Sequence, residues 1–385
     1  MKRDTNITKA LFFIFGFGVM AWIPRFPELR EFLHVQNGLF GTILSSGMFG
    51  SMLALLSVGQ LVQHYGSRLM IIFAMALQMT CFILIVHVRD HVIFTLVNIF
   101  LGFGISSMHI SINGQAFADQ ERGAKHLVVT AAGFWSGGAL TTSLLSIFLI
   151  GRVSLRIHLM VLYIALVLIT ILLVNLRSET MIKPNRSSEQ TLDFFATIRN
   201  FNFDWFLGFG LIFGTAMELA TGDWGAIFSR DKIGISETWS PMPYIAFTVL
   251  TVVGRVSITK AQQRLPINLM IKVGGFVGGI SILVAVWMAR SIPFYLVCIL
   301  FAIAGLGSSI IGPSFLNKAN GRSPHPASVV VGQVGVINIA LGWTFKQVVA
   351  WVAQYLGLSA ALTIPAIMLL LVGFFARVFK PVPAK

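Results

Sequence analysis

Two acids, Glu218 and Asp223, stand five residues apart well inside the apolar run 204–229. A carboxylate near the centre of a membrane helix costs about 2.5–3.5 kcal/mol on insertion scales, so a chain that keeps one there has a use for it. Proton exchange, a solute site or an ion pair between helices would each supply that use. At a rise of 1.5 Å per residue, Glu218 lies roughly 18 Å into a hydrocarbon core about 30 Å thick. Gly214, Thr221, Gly222 and Gly225 share its side of the helix, a small, polar stripe suited to a water-filled cavity. Asp223 points elsewhere unless Gly222 breaks the helix.

A second run places Gly335, Asn338, Gly342 and Lys346 on one face. Lys346 is expected at the depth of the two acids, where opposite charges in low dielectric find each other. The sequence leaves open whether its partner is Glu218 or Asp223, and snorkelling to the interface is the alternative. A third run carries Asn98, Gly102, Ser106, His109 and Asn113 on one face. Amides and hydroxyls in membrane helices tie helices together more often than they bind ligands; five small or polar positions on one face shift the expectation towards a lining role. His109 lies deep in its run and can change charge near neutral pH, although a hydrogen-bonded structural histidine fits the same position. Trp135 is free to stack on a sugar-like ring, whereas Trp22 and Trp224 sit at run ends and read as interface anchors. Arg68 and Arg255 lie at run ends too and read as loop-locking or snorkelling residues.

The elements that must position these residues follow from composition. Of 385 residues 56% are hydrophobic and 11% charged, with a mean hydropathy of +0.83. Soluble domains carry about a quarter charged residues, so the chain falls in the membrane class. Apolar runs predict spans at 8–25, 37–63, 67–87, 91–117, 126–150 and 154–176, then 204–229, 238–260, 266–289, 292–316, 327–354 and 358–378. Runs this long and continuous are helical in lipid, where each backbone group must be satisfied internally. The expected fold is therefore an all-α membrane protein with twelve transmembrane helices in two six-helix bundles, 1–176 and 204–385. The polar stretch 177–203 joins them as a cytoplasmic linker. The halves echo each other: Gly102-Phe103-Gly104 returns as Gly305-Leu306-Gly307, and Trp22 as Trp224. Such echoes suit a parallel repeat of two halves.

The net charge of +14 has no basic patch with interleaved aromatics, so nucleic acid is not an expected partner. With a cytoplasmic N-terminus, 19 Lys and Arg fall on the inner side and 8 on the outer, and Lys346 lies within a span. That asymmetry predicts a multi-pass protein of a bacterial-type inner membrane with both termini cytoplasmic. Cys81 and Cys298 lie in apolar runs, which gives no disulfide framework. The first run ends in Trp22-Ile23-Pro24-Arg25 rather than a small-residue cleavage site, so it is expected to stay as a helix. No HExxH, GxSxG or Walker loop occurs, so no enzyme, metal or cofactor is expected.

Gly59-Gln60-Leu61-Val62-Gln63-His64-Tyr65-Gly66-Ser67-Arg68 resembles the G-x-L-x-D-x-x-G-x-R loop of the major facilitator superfamily, with Gln63 in place of the aspartate. Gly59, Gly66 and Arg68 are its matching positions. Trp22-Ile23-Pro24-Arg25-Phe26-Pro27 is similar to the W-x-P-R-x-P segment of the fucose-permease-like branch. Met108 to Ala116 is similar to its D-V-x-M-N-x-Q-A stretch, with His109 at the aspartate. Phe134-Trp135-Ser136-Gly137-Gly138 follows W-S-x-G, and Glu218 to Trp224 is close to E-G-x-x-x-D-W. Lys346 stands where a proline of a G-P-P motif is usual. The resemblance implies alternating access for a small polar or sugar-like solute, with the proton as coupling ion. It makes Glu218 the leading proton candidate and His109 the next. The expected partners are a small-molecule substrate and the lipid bilayer, with the protein a monomer. A drug or metabolite exporter is the alternative within the class; a membrane-embedded receptor or enzyme is the alternative outside it.

Overall fold

Apolar run length translates directly into helix. The computed structural model describes residues 2–124, 127–177, 181–184, 204–322 and 327–379, without the side chains at 129, 258–261, 316–317 and 319–334, and among these residues there is no strand. In chain order the helices are α1 (Lys2–Met20), α2 (Phe26–Leu33), α3 (Asn37–Ile85), α4 (His91–Glu121), α5 (Leu127–Leu149) and α6 (Leu155–Asn175). Then follow α7 (Trp205–Ile227), α8 (Met242–Gln262), α9 (Ile267–Trp287), α10 (Phe294–Ser308), α11 (Ile311–Arg322), α12 (Ala327–Tyr355) and α13 (Leu358–Phe375). Among the described residues, ten helical stretches are long and apolar enough to cross a membrane. The 49-residue α3 is long enough for two passes, and the apolar segment Met242–Ser257 of α8 adds a shorter one. Twelve passes result, with the expected tenth span divided between α10 and α11. Most of the expected linker, 178–180 and 185–203, lies outside the described residues.

Local chemistry sets several helix starts. The carboxylate of Asp90 accepts from the amides of Val92 and Ile93 and opens α4, the Ser154 hydroxyl opens α6, and Asp204 caps α7. Each satisfies amides that have no partner within the helix. The break inside α3 falls at Gly66, whose φ of 83° and ψ of 155° belong to a region that essentially only glycine enters. A β-carbon there would also crowd the Ile182 carbonyl at 2.8 Å. Gly66→Ala is therefore expected to cost about 1–3 kcal/mol, read as a lower melting temperature of the purified protein. An unchanged melting temperature would show that the break does not need glycine.

The chain divides into two compact units, Met1–Leu33 with Ile43–Asn200, and His34–Thr42 with Phe201–Lys385. In the first, a β-carbon at Gly102 of α4 would overlap the Gly47 carbonyl of α3, and the Ser51 hydroxyl donates to the Gly102 carbonyl at 3.2 Å. In the second, a β-carbon at Gly305 of α10 would overlap the Phe247 carbonyl of α8, and the Thr251 hydroxyl donates to the Gly305 carbonyl, also at 3.2 Å. The glycine echo seen in the sequence is thus one packing device used twice. Small residues let two helix backbones meet, and a hydroxyl one turn away ties them.

Outward faces are apolar, as lipid requires. Along α6 and at its C-cap, Val161, Ile164, Leu168, Leu172 and Leu176 are all exposed at helical spacing. Trp287, Tyr295, Trp351 and Tyr355 are exposed near helix ends of the second unit, where their amphipathic rings suit an interface. Trp22 packs edge-on against Phe26 and Phe82. Beside it the buried Arg25 guanidinium pairs with Glu28, donates to the Val153 carbonyl at 2.6 Å and meets His158 Nδ1 at 3.2 Å. This cluster fixes the corner between α1 and α2 onto the start of α6.

Candidate functional site

Helix α7 carries both acids and sends them to different partners. Lys346 Nζ on α12 lies 3.1 Å and 2.9 Å from the two carboxylate oxygens of Asp223, and both side chains are 15% exposed. Counting along the helices, Lys346 lies about 14 Å from the end of α12 and Asp223 about 15 Å from the end of the π-helical turn Phe228–Ile233, so the pair shares one depth. Glu218 pairs instead with Arg255 of α8, whose Nη2 donates to Oε2 at 2.6 Å. Arg255 Nε also reaches the Ser309 carbonyl at 3.4 Å. Five residues turn a helix through roughly 140° beyond one full turn, which is why the two acids address α12 and α8 separately. The Arg255 and Glu218 side chains are 32% and 42% exposed, so this pair is only partly covered by protein. Charges so placed in a span face water or a polar cavity rather than lipid.

Several sequence expectations change here. Arg255 is a partner of the site and not a loop-locking residue, because its long side chain reaches back along α8 to Glu218. Lys346 does not snorkel to an interface: it is held by Asp223. The stripe beside Glu218 is packing rather than cavity lining. A β-carbon at Gly214 would overlap Ile311, Gly225 abuts Tyr244, and Thr221 is buried. Trp224, expected at an interface, is 1% exposed, with Phe40 edge-on at 6.4 Å. The Thr221 hydroxyl and the Asn338 Oδ1 are enclosed without a hydrogen-bond partner among the described residues.

The polar face of α4 divides along its length. Asn98 is a tie between helices and not a lining residue: its buried amide donates to the carbonyls of Ile43 and Leu44 and to the Ser46 hydroxyl. Further along, His109 is exposed, its ring 6.2 Å from Phe15, and the Asn113 amide donates to the His109 carbonyl at 2.8 Å. Trp135 on α5 is half-buried with its indole N–H enclosed, and its backbone abuts Gly16 of α1. His109 and Asn113 are brought together; among the described residues Trp135 makes no hydrogen bond or ring contact with either.

A second polar cluster, which the run pattern does not reveal, lies at the end of unit one where α4 and α6 finish. Asp119 and Arg177 form a buried ion pair, 6% and 0% exposed. The Thr8 hydroxyl donates to Asp119 at 3.0 Å and in turn accepts from Arg177. Gln115 donates to Asp119 at 2.9 Å and accepts from Ser67 at 2.6 Å, and the Ile182 amide meets both Gln115 and Ser67. Arg68, next in the loop motif, donates to Asn175 at 2.7 Å, while Gly59 faces open space. Arg177, which run length assigns to the linker, is instead buried directly after α6. The signal available in sequence is the Gln115–Asp119 spacing of one helical turn.

Twelve apolar passes with charged pairs held inside them define a polytopic membrane protein. The family model described as Major Facilitator Superfamily matches residues 10–345, and the chain belongs to that family. It is similar to an uncharacterized MFS-type transporter of Yersinia pestis, 25% identical over 379 residues covering 96% of this chain and 94% of that one. It is also similar to the membrane protein MosC of Rhizobium meliloti, 23% identical over 91% of this chain and 84% of that one. Among solved structures, a point mutant of the nucleoside transporter NupG superposes with a TM-score of 0.78 at 15% identity, covering 98% of this chain and all of that one. A D-xylose–proton symporter superposes at 0.71 and 15% identity over 98% of each chain. These likenesses establish the fold, and the chain is a transporter of the major facilitator kind.

Proposed function

We propose that the protein is a secondary transporter that carries a small polar solute, sugar-like or nucleoside-like, across an inner membrane by alternating access coupled to protons. It works as a monomer of two six-helix bundles joined by the 177–203 stretch, with both termini cytoplasmic. The observation that carries this reading is that α7 holds two carboxylates inside the membrane, each on a cation of a different helix. A carboxylate held in this way avoids standing unpaired in low dielectric by one of two routes. It stays closed on its cation, or it is released and protonated while the cation, still charged, turns to water or another acceptor. Opening a pair therefore favours taking up a proton.

Glu218 is the proton site in this reading, since its pair with Arg255 is the more open of the two. His109, Asn113 and Trp135 supply the polar and aromatic lining in the first unit. The test is uptake into proteoliposomes under an imposed pH gradient, with a panel of sugars, nucleosides and cationic dyes. Sugar or nucleoside accumulation that collapses with the gradient supports the proposal; gradient-driven movement of the dyes alone points to an exporter. Glu218→Gln should abolish pH-driven accumulation while leaving solute exchange intact. Undiminished accumulation in that variant removes Glu218 from the mechanism.

A further inference from the structure

A cavity of about 530 Å³ opens on the first unit where α1 begins and α6 ends. Its polar wall is Lys2, Arg3 and Asn6, and its floor includes Ile7, Leu173 and Leu176. We infer that this cavity seats the phosphate of an anionic phospholipid headgroup.

Charge is the first argument. Lys2 and Arg3 are exposed, and among the described residues neither meets a carboxylate. Asp4, between Arg3 and Asn6 in sequence, does not line the cavity. The neighbouring cations are already engaged: Arg177 by Asp119, Lys9 over the Phe134 ring and Arg68 by Asn175. Two cations beside one amide match a phosphate that has no positive group of its own, and each basic residue near a membrane surface contributes measurably to holding such a lipid.

Shape is the second. The floor runs into the exposed stripe formed by Leu176 at the C-cap of α6 and Leu172 and Leu168 on the helix. Those leucines recur every fourth residue, so they lie in line along one face. A phosphate held at Lys2 and Arg3 sits at headgroup level, with its acyl chains directed down that stripe. A dissolved phosphate gains nothing from the leucines, and a zwitterionic lipid brings its own cation against Lys2 and Arg3.

The test uses the full chain in neutral detergent, titrated with phosphatidylglycerol, phosphatidylcholine or inorganic phosphate. Thermal unfolding and the lipid adducts kept in native mass spectra are read together. Phosphatidylglycerol is expected to raise the melting temperature and to leave a tightly held adduct. The double variant Lys2→Gln/Arg3→Gln should weaken that binding by roughly tenfold or more, and Asn6→Ala should weaken it less. The control Arg152→Gln/Arg156→Gln, exposed cations just before and at the start of α6 and remote from the cavity, should bind like the parent. Equal binding of the two lipids, or equal weakening in both double variants, would overturn the site in favour of diffuse attraction. A melting shift reproduced by inorganic phosphate alone would identify a soluble anion as the occupant instead. Both double variants change exposed side chains, and matching lipid-free melting temperatures would confirm that each folds as the parent does.

Discussion

Asp119→Ala and Arg177→Ala should each destabilise the protein by about 3–5 kcal/mol, the cost of leaving one charge of a buried pair without its partner. The geometry argues for the upper part of that range. Arg177 has no exposed surface, and its guanidinium is shared among the Asp119 carboxylate, the Thr8 hydroxyl and the Asp4 carbonyl. Removing Asp119 also takes the acceptor from Gln115 and leaves the Thr8 hydroxyl only the Asp4 carbonyl. The loss would then pass through Gln115 to Ser67 and Ile182, and so to the residues that hold the Gly66 break. Expression yield and thermal unfolding in detergent provide the measurement. The double variant Asp119→Leu/Arg177→Met is the control, because replacing both charges by apolar groups of similar size is often neutral or stabilising. Single variants that melt like the parent would show that the cluster does not hold the helix ends together.

The twelve passes are legible because the bilayer simplifies the problem: a run of about 20 apolar residues has one solution in lipid. The break in α3 is legible as well, since Gly66 lies in a turn-like motif between two such runs and the structure places the non-helical residue there. The glycine echo is visible, although its hydroxyl ties from Ser51 and Thr251 need coordinates.

What escapes is mostly a matter of two or three residues, or of one side chain's reach. Ending the fourth span at 117 puts Asp119 in a loop, whereas α4 continues to Glu121 and buries it. Starting the linker at 177 likewise misplaces Arg177. Periodicity places a residue on a face of its own helix but does not say which helix that face meets. The face of Asn98 meets α3, and its amide is consumed there. Arg255 lies near a helix end, and an arginine stem is long enough to make that position a poor guide to where the guanidinium acts.

The same limit leaves the partner of Lys346 open in the sequence, and that pair supports the prediction closest to function. Asp223→Asn and Lys346→Met should each reduce transport by about a hundredfold or more, a barrier change near 3 kcal/mol, and each should lower the melting temperature by leaving its partner unpaired. The double variant Asp223→Asn/Lys346→Met separates two roles that the single variants confound. Its melting temperature should return towards the parent, since both buried charges are gone and the two sites are coupled. If transport returns with it, the pair only steadies α7 against α12. If stability returns and transport does not, the charges act in the cycle itself. The second outcome is expected, because Trp224 and Gln347, the next residues along each helix, both contact the start of α3. Trp224 faces Phe40 there, and the Thr42 hydroxyl donates to Gln347 at 2.8 Å. A pair joined this closely to those contacts feels any change in how residues 40–42 are held. A neutral replacement of the same size can fill its space but has no charge with which to respond.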